Sequence, residues 1–348
     1  MRGVSKSLRG GLLAAILSLA SVTALAQGMG YRSLVQRDGG ILTLFYPAAG
    51  QEVAMKRGPF TLAVIPDGQF VPGNERLIVI SHGSGGSPWV HADLARALVL
   101  SGFTVAIPTH HGDNYRDTSE PGPQSWRRRP REVSDAINLV AAQAPLAAVL
   151  RLDAVGVFGG SAGGHTALSL AGGVWSDARF RDHCDHHLKE DFSSCVGFIT
   201  LQRGGVLDGV KRWVARRVID WRFSDATPQR AEDPRVRAAV AMVPFAADFD
   251  PASLERPRIP LGLVIAEKDI NQIPRFHVQA IRSACGANCE LVMDLPDAGH
   301  GAMLSPIPPF ESGSIEDRLL SDPEGFDRQR EIPELNARIV KFFERHLQ

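Results

Sequence analysis

Ser161 stands among four glycines and one alanine in the stretch VFGGSAGGH, which covers residues 157–165. The run Gly159-Gly160-Ser161-Ala162-Gly163 fits G-x-S-x-G, the pattern that holds a serine on a strained turn between a strand and a helix. A side chain on either outer glycine is expected to collide with the adjoining strand or helix. A phosphate-binding glycine loop is the competing interpretation, but the spacing is not G-x-x-x-x-G-K-[ST] and no lysine follows. The pattern therefore predicts a nucleophilic serine.

A serine hydroxyl needs a base to take its proton, and a histidine most often does this. With this type of turn the partners follow in the order serine, acid, histidine. His300 lies in PDAGHG, directly after the last predicted strand, where a loop can bring an imidazole over the serine. The other histidines after Ser161 are expected in helices, in a long insertion or near the carboxyl terminus: His165, His183, His186, His187, His277 and His346. We therefore expect His300 to be the base.

A carboxylate must orient that histidine. Asp269 follows the predicted strand 261–266 in the run AEKD, one strand before the His300 loop. Asp248, after the preceding strand, is the reserve candidate. The position that the acid usually takes favours Asp269.

Two backbone N–H groups are needed to bind the negative charge that develops on the substrate oxygen. Ala162 follows the nucleophile and is expected to supply one of them. The glycine-rich loop SHGSGG after the predicted strand 77–80 is expected to supply the other, from Ser84. His82 in the same loop is expected to brace it by hydrogen bonding and not to act as a base.

Continuous apolar runs alternate with helical patterns from residue 77 onward, which is typical of a parallel sheet covered on both faces. The predicted strands are 77–80, 103–107, 154–158, 236–243, 261–266 and 290–295, and the predicted helices are 90–100, 132–142, 162–170, 274–283 and 333–347. Before them, residues 33–37 and 41–46 flank Asp38-Gly39-Gly40, which predicts a β-hairpin, and 61–65 is a further extended segment. We therefore expect one doubly wound α/β domain over residues 27–348, with a mostly parallel sheet and an amino-terminal antiparallel hairpin.

Residues 174–235 interrupt this alternation over a length that is improbable for a structureless loop. Val210, Trp213, Val214, Val218 and Trp221 recur there at helical spacing. The segment is either a helical excursion packed on the body of the protein or a cap over a site at the strand ends, and we favour a helical cap insertion. Phe245 and the tryptophans are expected to contribute to the substrate pocket beneath it.

The first 26 residues read as a secretory signal peptide that is cleaved before Gln27. Arg2, Lys6 and Arg9 precede an apolar run at 12–25 that ends in Ala-Leu-Ala. A membrane anchor is the alternative, but the run is shorter than the ~20 residues that a spanning helix needs, and no later segment is long and apolar enough to span. The protein is therefore expected to be exported, either periplasmic or secreted.

Four cysteines occur in two local pairs, Cys184 with Cys195 and Cys285 with Cys289. Export to an oxidising compartment favours two short-range disulfides, although four cysteines allow three connectivities. A zinc site in HCDHH at 183–187 is the rival, but its spacing fits no standard zinc pattern. We expect no metal.

The whole chain carries 38 basic and 38 acidic residues, and residues 1–26 hold three of the basic ones and no acid. The mature chain is therefore slightly acidic, a poor composition for binding nucleic acid through its phosphates. The basic run at 127–131 is accordingly interpreted as a solvated helix entrance.

The order of SHGSGG, GGSAGG, AEKD and AGHG resembles that of the α/β-hydrolase superfamily. The stretch LIVISHGSGGSPWVHADLARALVLSGFTVAIPTHHGD at 77–113 resembles in particular the branch that contains dienelactone hydrolase-like proteins and platelet-activating-factor acetylhydrolases. The resemblance implies Ser161 as nucleophile, Asp269 as acid and His300 as base. It also implies that the N–H groups of Ser84 and Ala162 bind the oxyanion and that no cofactor is required.

These features together predict a carboxylic ester hydrolase that forms an acyl-enzyme intermediate on small-molecule or lipid-like esters. Three alternatives remain open. The same residues would serve an amidase or peptidase, the fold could belong to a non-catalytic exported binding protein, and HCDHH could make a metal-dependent hydrolase. The sequence leaves the oligomeric state open.

Overall fold

Six parallel strands form one side of a larger mixed sheet in the computed structural model, which describes residues 27–348. The predicted signal peptide at 1–26 lies outside the described residues. The strands of the described part are β1 Gln27–Val35, β2 Ile41–Ala49, β3 Val53–Arg57, β4 Phe60–Pro66, β5 Gln69–Phe70, β6 Leu77–Ser81, β7 Thr104–Pro108, β8 Val155–Gly160, β9 Val174–Trp175, β10 Val236–Met242, β11 Phe249–Asp250, β12 Leu261–Ala266 and β13 Glu290–Leu295. The sheet order is β13-β12-β10-β8-β6-β7-β2-β1-β4-β3, with β5 paired to β2.

The strands from β13 to β7 in that order run parallel, and β2 joins β7 in the antiparallel direction. β6, β7, β8 and β12 are buried along their whole length, as their continuous apolar runs predict. The hairpin of β1 and β2 is also confirmed. Gly39 takes a φ of 82° in its turn, a backbone conformation that favours glycine.

Helices cover both faces of the sheet. They are α1 Ala92–Leu100, α2 Pro123–Ala141, α3 Ala144–Ala147, α4 Ala162–Leu170, α5 Asp177–His187, α6 Phe192–Val196, α7 Asp208–Arg222, α8 Val278–Cys285, α9 Ile315–Leu320 and α10 Arg328–His346. One apolar cluster contains side chains of α2, α4 and α8, and a second contains those of α1 and α10. The predicted doubly wound α/β fold is therefore confirmed.

One helix differs from its prediction in a way that changes the interpretation of its charges. α2 begins at Pro123, nine residues before the predicted start at 132, and continues through Pro130. The basic run at 127–131 therefore lies inside the helix and not at its entrance. The interpretation of the run as solvated is wrong for Arg129, whose side chain is fully buried.

Residues 174–235 contain β9 and three helices, α5, α6 and α7. β9 pairs with β11 in a small antiparallel sheet. A disulfide joins Cys184 of α5 to Cys195 of α6, and a second joins Cys285 to Cys289 after α8. No helix among residues 27–348 has the length and apolarity to cross a membrane.

A buried carboxylate ties the 174–235 segment to the loop before α8. The Oδ2 atom of Asp191 lies 2.9 Å from Nε2 of His183 and 3.1 Å from Nε2 of His277. His277 also bonds Ser194 Oγ, and its Nδ1 accepts the N–H of Ala246. Burial acts to raise the pKa of Asp191, but the hydrogen bonds from His183 and His277 outweigh it, and the pKa lies well below its ordinary value.

This arrangement predicts a pH-dependent stability. Because the folded pKa of Asp191 is below the unfolded value of 3.8, its contribution is present at neutral pH and is lost as the pH falls below about 4. Asp191→Asn should lower the free energy of unfolding by about 1.5–3 kcal/mol at pH 7, and the difference from wild type should shrink at pH 3. Urea unfolding at the two pH values measures both quantities. Asp185→Asn on the exposed side of α5 is the control, and an equal deficit at both pH values would contradict the prediction.

Candidate active site

Ser161 occupies the turn between β8 and α4, as G-x-S-x-G requires. Its φ of 55° and ψ of −119° place it in a conformation that non-glycine residues seldom adopt. A Cβ on Gly159 would lie 1.9 Å from the carbonyl oxygen of Gly163, and one on Gly163 would lie 1.8 Å from that of Ser81. The glycines therefore let α4 pack close to β6 and β8 while the serine takes its strained conformation.

The three predicted site residues Ser161, Asp269 and His300 lie together at the carboxyl edge of the sheet. Nε2 of His300 is 3.0 Å from Oγ of Ser161, and Nδ1 of His300 is 2.6 Å from Oδ2 of Asp269. The other oxygen of Asp269 accepts two backbone N–H groups, from Asn271 and Gln272, each at 2.8 Å. All three side chains are buried, with Ser161 7 % and His300 1 % exposed.

The reserve acid Asp248 is elsewhere. Its Oδ2 lies 2.9 Å from Nε2 of His165, and both side chains are fully buried. His165 packs between Trp126, Trp175 and Phe249. The structure therefore pairs Asp248 with His165 and places Asp269 on His300.

Gln272 is a fourth side chain in contact with this group, and the sequence analysis missed it. Its Nε2 donates to Oγ of Ser161 at 3.1 Å. Its Oε1 is buried and accepts no hydrogen bond from the part of the chain that the structure describes. The sequence signal that could have identified Gln272 was its position three residues after Asp269. In the structure the same loop donates two N–H groups to the Asp269 carboxylate.

One predicted oxyanion donor, Ala162, directly follows Ser161, and the other, Ser84, follows the glycine of the SHGSGG loop that approaches Ser161. Ala162 begins α4 directly after Ser161, and the SHGSGG loop passes over the turn, with a Cβ on Gly83 3.4 Å from that of Ser161. Neither the Ala162 nor the Ser84 N–H donates a hydrogen bond to any atom of residues 27–348. The unpaired N–H of Ala162 therefore lies directly after Ser161, and that of Ser84 lies one residue beyond the loop's contact with Ser161.

A buried ion pair holds this loop in place. Nη2 of Arg129 is 2.9 Å from Oδ2 of Asp113, and both side chains have no exposure. Arg129 also donates to the carbonyl oxygens of His82 and Gly83. Oδ1 of Asp113 accepts the hydroxyl of Ser84 at 2.5 Å and the N–H of Gly85 at 3.0 Å. The pair therefore fixes the loop on both sides of the Ser84 N–H.

The charge state of Asp113 agrees with this role. Burial acts to raise its pKa, but the charge of Arg129 and the hydrogen bonds from Ser84 and Ser125 lower it by more, and the net pKa is below the ordinary value. Asp113 is therefore ionised at neutral pH beside Arg129.

Removing one member of this ion pair should lower the free energy of unfolding substantially. Arg129→Met leaves the Asp113 carboxylate buried without its partner, and we expect the free energy of unfolding to fall by about 3–5 kcal/mol. Arg128→Met is the control, because the Arg128 side chain is partly exposed and bonds Glu120 on the surface; its cost should be at most about 1 kcal/mol. Urea unfolding compares the two, and equal small losses would show that the buried pair does not hold the loop.

His82 braces the loop, as expected from the sequence. Its Nδ1 lies 2.8 Å from the carbonyl oxygen of Gly83, and its ring packs against His110. Burial, reinforced by His110 and Arg129, holds the pKa of His82 well below its ordinary value of 6.5. Burial and the charge of Arg129 also hold the pKa of His110 well below 6.5. Both rings are therefore neutral at neutral pH and add no positive charge beside the nucleophile.

Phe245 is close to the serine through its backbone. Its N–H donates to the carbonyl oxygen of Ser161 at 3.1 Å. Its ring is buried and stacks on Trp126 with 4.5 Å between ring centroids, and it also contacts Phe180. The side chain belongs to an aromatic cluster that joins α2, α5 and the loop after β10.

Two of the potential metal ligands in the HCDHH run have other partners. Cys184 is in a disulfide and His183 bonds Asp191. Among residues 27–348, no group of three or more His, Cys, Asp or Glu side chains is arranged to hold a metal ion.

Comparisons with known proteins agree with this fold. The model of a family described as "Alpha/beta hydrolase family" matches residues 78–311 of the 348. A solved structure of a ferulic acid esterase from Streptomyces cinnamoneus is similar over 94 % of this chain and 92 % of its own, with a TM-score of 0.57 and 14 % sequence identity. A search of curated protein sequences finds no significant match. The extent of the family match shows that this chain belongs to the alpha/beta hydrolase family.

Proposed function

We propose that this protein is a serine-dependent carboxylic ester hydrolase. One observation carries the proposal: Ser161, His300 and Asp269 form a continuous hydrogen-bonded chain, with 3.0 Å from Oγ to Nε2 and 2.6 Å from Nδ1 to Oδ2. These contacts lie within the range in which a base can take a proton from a nucleophile while a carboxylate holds that base.

In the first half of the reaction, Oγ of Ser161 attacks the ester carbonyl carbon as its proton passes to Nε2 of His300. The carbon–oxygen bond to the alcohol then breaks, and the alcohol leaves with the proton from His300. In the second half, water gives its proton to His300 and attacks the acyl-enzyme. The acid is released and Ser161 recovers its proton.

Asp269 keeps His300 in the tautomer that carries a proton on Nδ1, so that Nε2 is free to accept the serine proton. The N–H groups of Asn271 and Gln272 fix the Asp269 carboxylate. The N–H groups of Ser84 and Ala162 bind the oxyanion of the tetrahedral intermediate. Each such donor is worth about 3–4 kcal/mol of transition-state stabilisation when aligned.

Residues 27–348 act in this proposal as a single catalytic domain, with 174–235 as its cap. The bonds of Asp191 to His277 and of Arg127 to Asp177 anchor the cap to the body. We place Phe245 at the substrate pocket, supported by its bond to the Ser161 carbonyl.

The substrate class follows from the acyl-transfer geometry and from the esterase activity named for the structural neighbour. We infer a small-molecule or lipid-like ester, hydrolysed without a cofactor. The predicted signal peptide and the two disulfides support an exported enzyme, periplasmic or secreted.

Nitrophenyl esters of graded acyl length, measured beside the nitroanilide of the same acyl group, test the proposal. We expect hydrolysis of at least one ester and a much lower kcat/KM for the matched anilide. An anilide cleaved as fast as its ester would make the protein an amidase with the same residues. Loss of ester hydrolysis on adding a chelator would point to metal-dependent chemistry instead.

Gln272 is a positioning residue in this scheme, because its Nε2 donates to the same Oγ of Ser161 that His300 contacts. Gln272→Ala should lower kcat/KM for a short ester by about tenfold, the loss expected for one neutral hydrogen bond. Gln279→Ala, which removes an exposed amide on α8 that bonds Glu267, is the control. A full loss of activity in Gln272→Ala, or none, would contradict this role.

A further inference from the structure

Helix α7 presents an apolar face to solvent. Val210, Trp213, Val214, Val218 and Trp221 recur along it at helical spacing, and all five are exposed. The helix that this spacing predicts is present, and its apolar face is not packed against the body of the protein. The side of α7 that meets the protein is narrow and includes Ala215 and Ile219.

The exposure of this face is large. Trp213 is 63 % and Trp221 81 % exposed, and Val206 and Leu207, just before the helix, extend the same surface. Apolar groups grouped in this way on a soluble domain usually mark a binding surface. Tryptophan in particular suits a boundary between water and hydrocarbon, because its ring is apolar and its N–H is polar.

Positive charge predominates along this helix. Residues 203–222 contain six basic residues and two acidic ones. Arg217 extends from the apolar face itself, and its side chain forms no ion pair or hydrogen bond with any residue in the described range 27–348. Lys211 and Arg222 are exposed or partly exposed along the margin of the face. The surface is therefore both apolar and cationic.

We propose that α7 is a membrane-docking helix that lies in the plane of an anionic lipid surface. An interfacial helix places tryptophan and aliphatic side chains among the acyl chains while lysine and arginine reach the phosphates. Both requirements are met by one helix here. The proposal does not depend on the hydrolytic activity.

A second copy of this chain is a poorer occupant of the face. Two copies related by a twofold axis would bring the Arg217 side chains and the basic margins against each other, because the same patch contributes from both sides. Burying the two unpaired Arg217 side chains is costly. An anionic surface instead offers each of them a partner.

The position of α7 connects the docking surface to the candidate active site. Arg222, the last residue of the helix, donates to the carbonyl oxygen of Pro121 and to the side chain of Gln124. Thr118 of the same loop lies beside Gly85, next to the oxyanion donor Ser84. Docking through α7 therefore places the loop that borders the site near the membrane.

Tryptophan emission and co-sedimentation test the proposal directly. Three of the five tryptophans, Trp89, Trp126 and Trp175, are buried, so a change in emission on binding reports on Trp213 and Trp221. Vesicles of phosphatidylglycerol and phosphatidylcholine should shift the emission to shorter wavelength and sediment the protein, and high salt should weaken the binding. Vesicles of phosphatidylcholine alone should bind at least about tenfold more weakly.

Two variants and one control complete the experiment. Trp213→Ser/Trp221→Ser should abolish sedimentation, and Arg217→Ala should weaken it about fivefold for anionic vesicles only. Val35→Ser/Leu100→Ser removes two exposed apolar side chains from other surfaces and should bind as wild type does. Thermal unfolding of each variant shows whether it is folded.

The proposal is overturned if wild type ignores anionic vesicles or if the control variant loses binding as the tryptophan variant does. It is also overturned if light scattering shows a dimer that Trp213→Ser/Trp221→Ser dissociates and no vesicle binding is found. The soluble nitrophenyl ester is a separate readout. If it is not hydrolysed, the proposed function fails while the vesicle result stands.

Discussion

Ser161→Ala should lower kcat/KM for a short nitrophenyl ester by about 10⁵-fold to 10⁶-fold. The variant lacks the oxygen that forms the acyl-enzyme, and His300 and the oxyanion donors have no nucleophile to assist. Removal of the serine from the catalytic triad of a serine protease lowers kcat by about this factor. Stopped assays at high enzyme concentration, corrected for spontaneous hydrolysis, measure the residual rate.

The fold should survive this change, because the replacement is smaller and the turn is held by its glycines and backbone. Ser169→Ala is a matched control in the same helix, since its hydroxyl is buried without a hydrogen-bond partner in the described residues. It should retain wild-type activity. Ester hydrolysis by Ser161→Ala within tenfold of wild type would reject the assignment of the nucleophile.

Asp269→Asn should lower kcat by about 10⁴-fold with little change in structure, because an amide stabilises the wrong tautomer of His300 and cannot balance the imidazolium charge. Asp248→Asn is an equally buried control that bonds His165 instead. It should leave kcat within about tenfold of wild type and lower the free energy of unfolding by about 1–3 kcal/mol. Kinetics and urea unfolding of both variants separate the two roles. If Asp248→Asn lost activity and Asp269→Asn kept it, the reserve assignment would replace ours.

The turn around Ser161 could be predicted because its requirements are local. Its strained φ and the close approach of α4 to β6 both demand small neighbours, and those neighbours are adjacent in the sequence. Asp269 and His300 could be placed because each follows a strongly apolar strand, and parallel strands deliver their carboxyl ends to one edge of the sheet. Chain order then determined which strand ends meet.

The role of Arg129 could not be predicted in the same way. A run of arginines is usually solvated, and nothing within the run distinguishes Arg129 from Arg128. The difference arises only when α2 turns one of them toward Asp113 and the SHGSGG loop, sixteen residues and more away. Gln272 was missed for a related reason. It follows Asp269 by three residues, and no sequence pattern distinguishes a glutamine that contacts a serine from one that lies in solvent.

The helical period of α7 could be predicted, but its environment could not. Periodicity shows that apolar side chains share one face and does not show what covers that face. The structure leaves it exposed.

The fold and family are established, whereas the narrower resemblance to dienelactone hydrolase-like proteins and platelet-activating-factor acetylhydrolases stays a prediction.

The central claim is that His300 activates Ser161 as the nucleophile, and a fluorophosphonate probe tests it most directly. Wild type treated with the probe, digested and analysed by mass spectrometry should carry the label on Ser161 alone. His300→Ala should be labelled at least about a thousandfold more slowly. A label on another residue, or equal labelling of wild type and His300→Ala, would contradict the account.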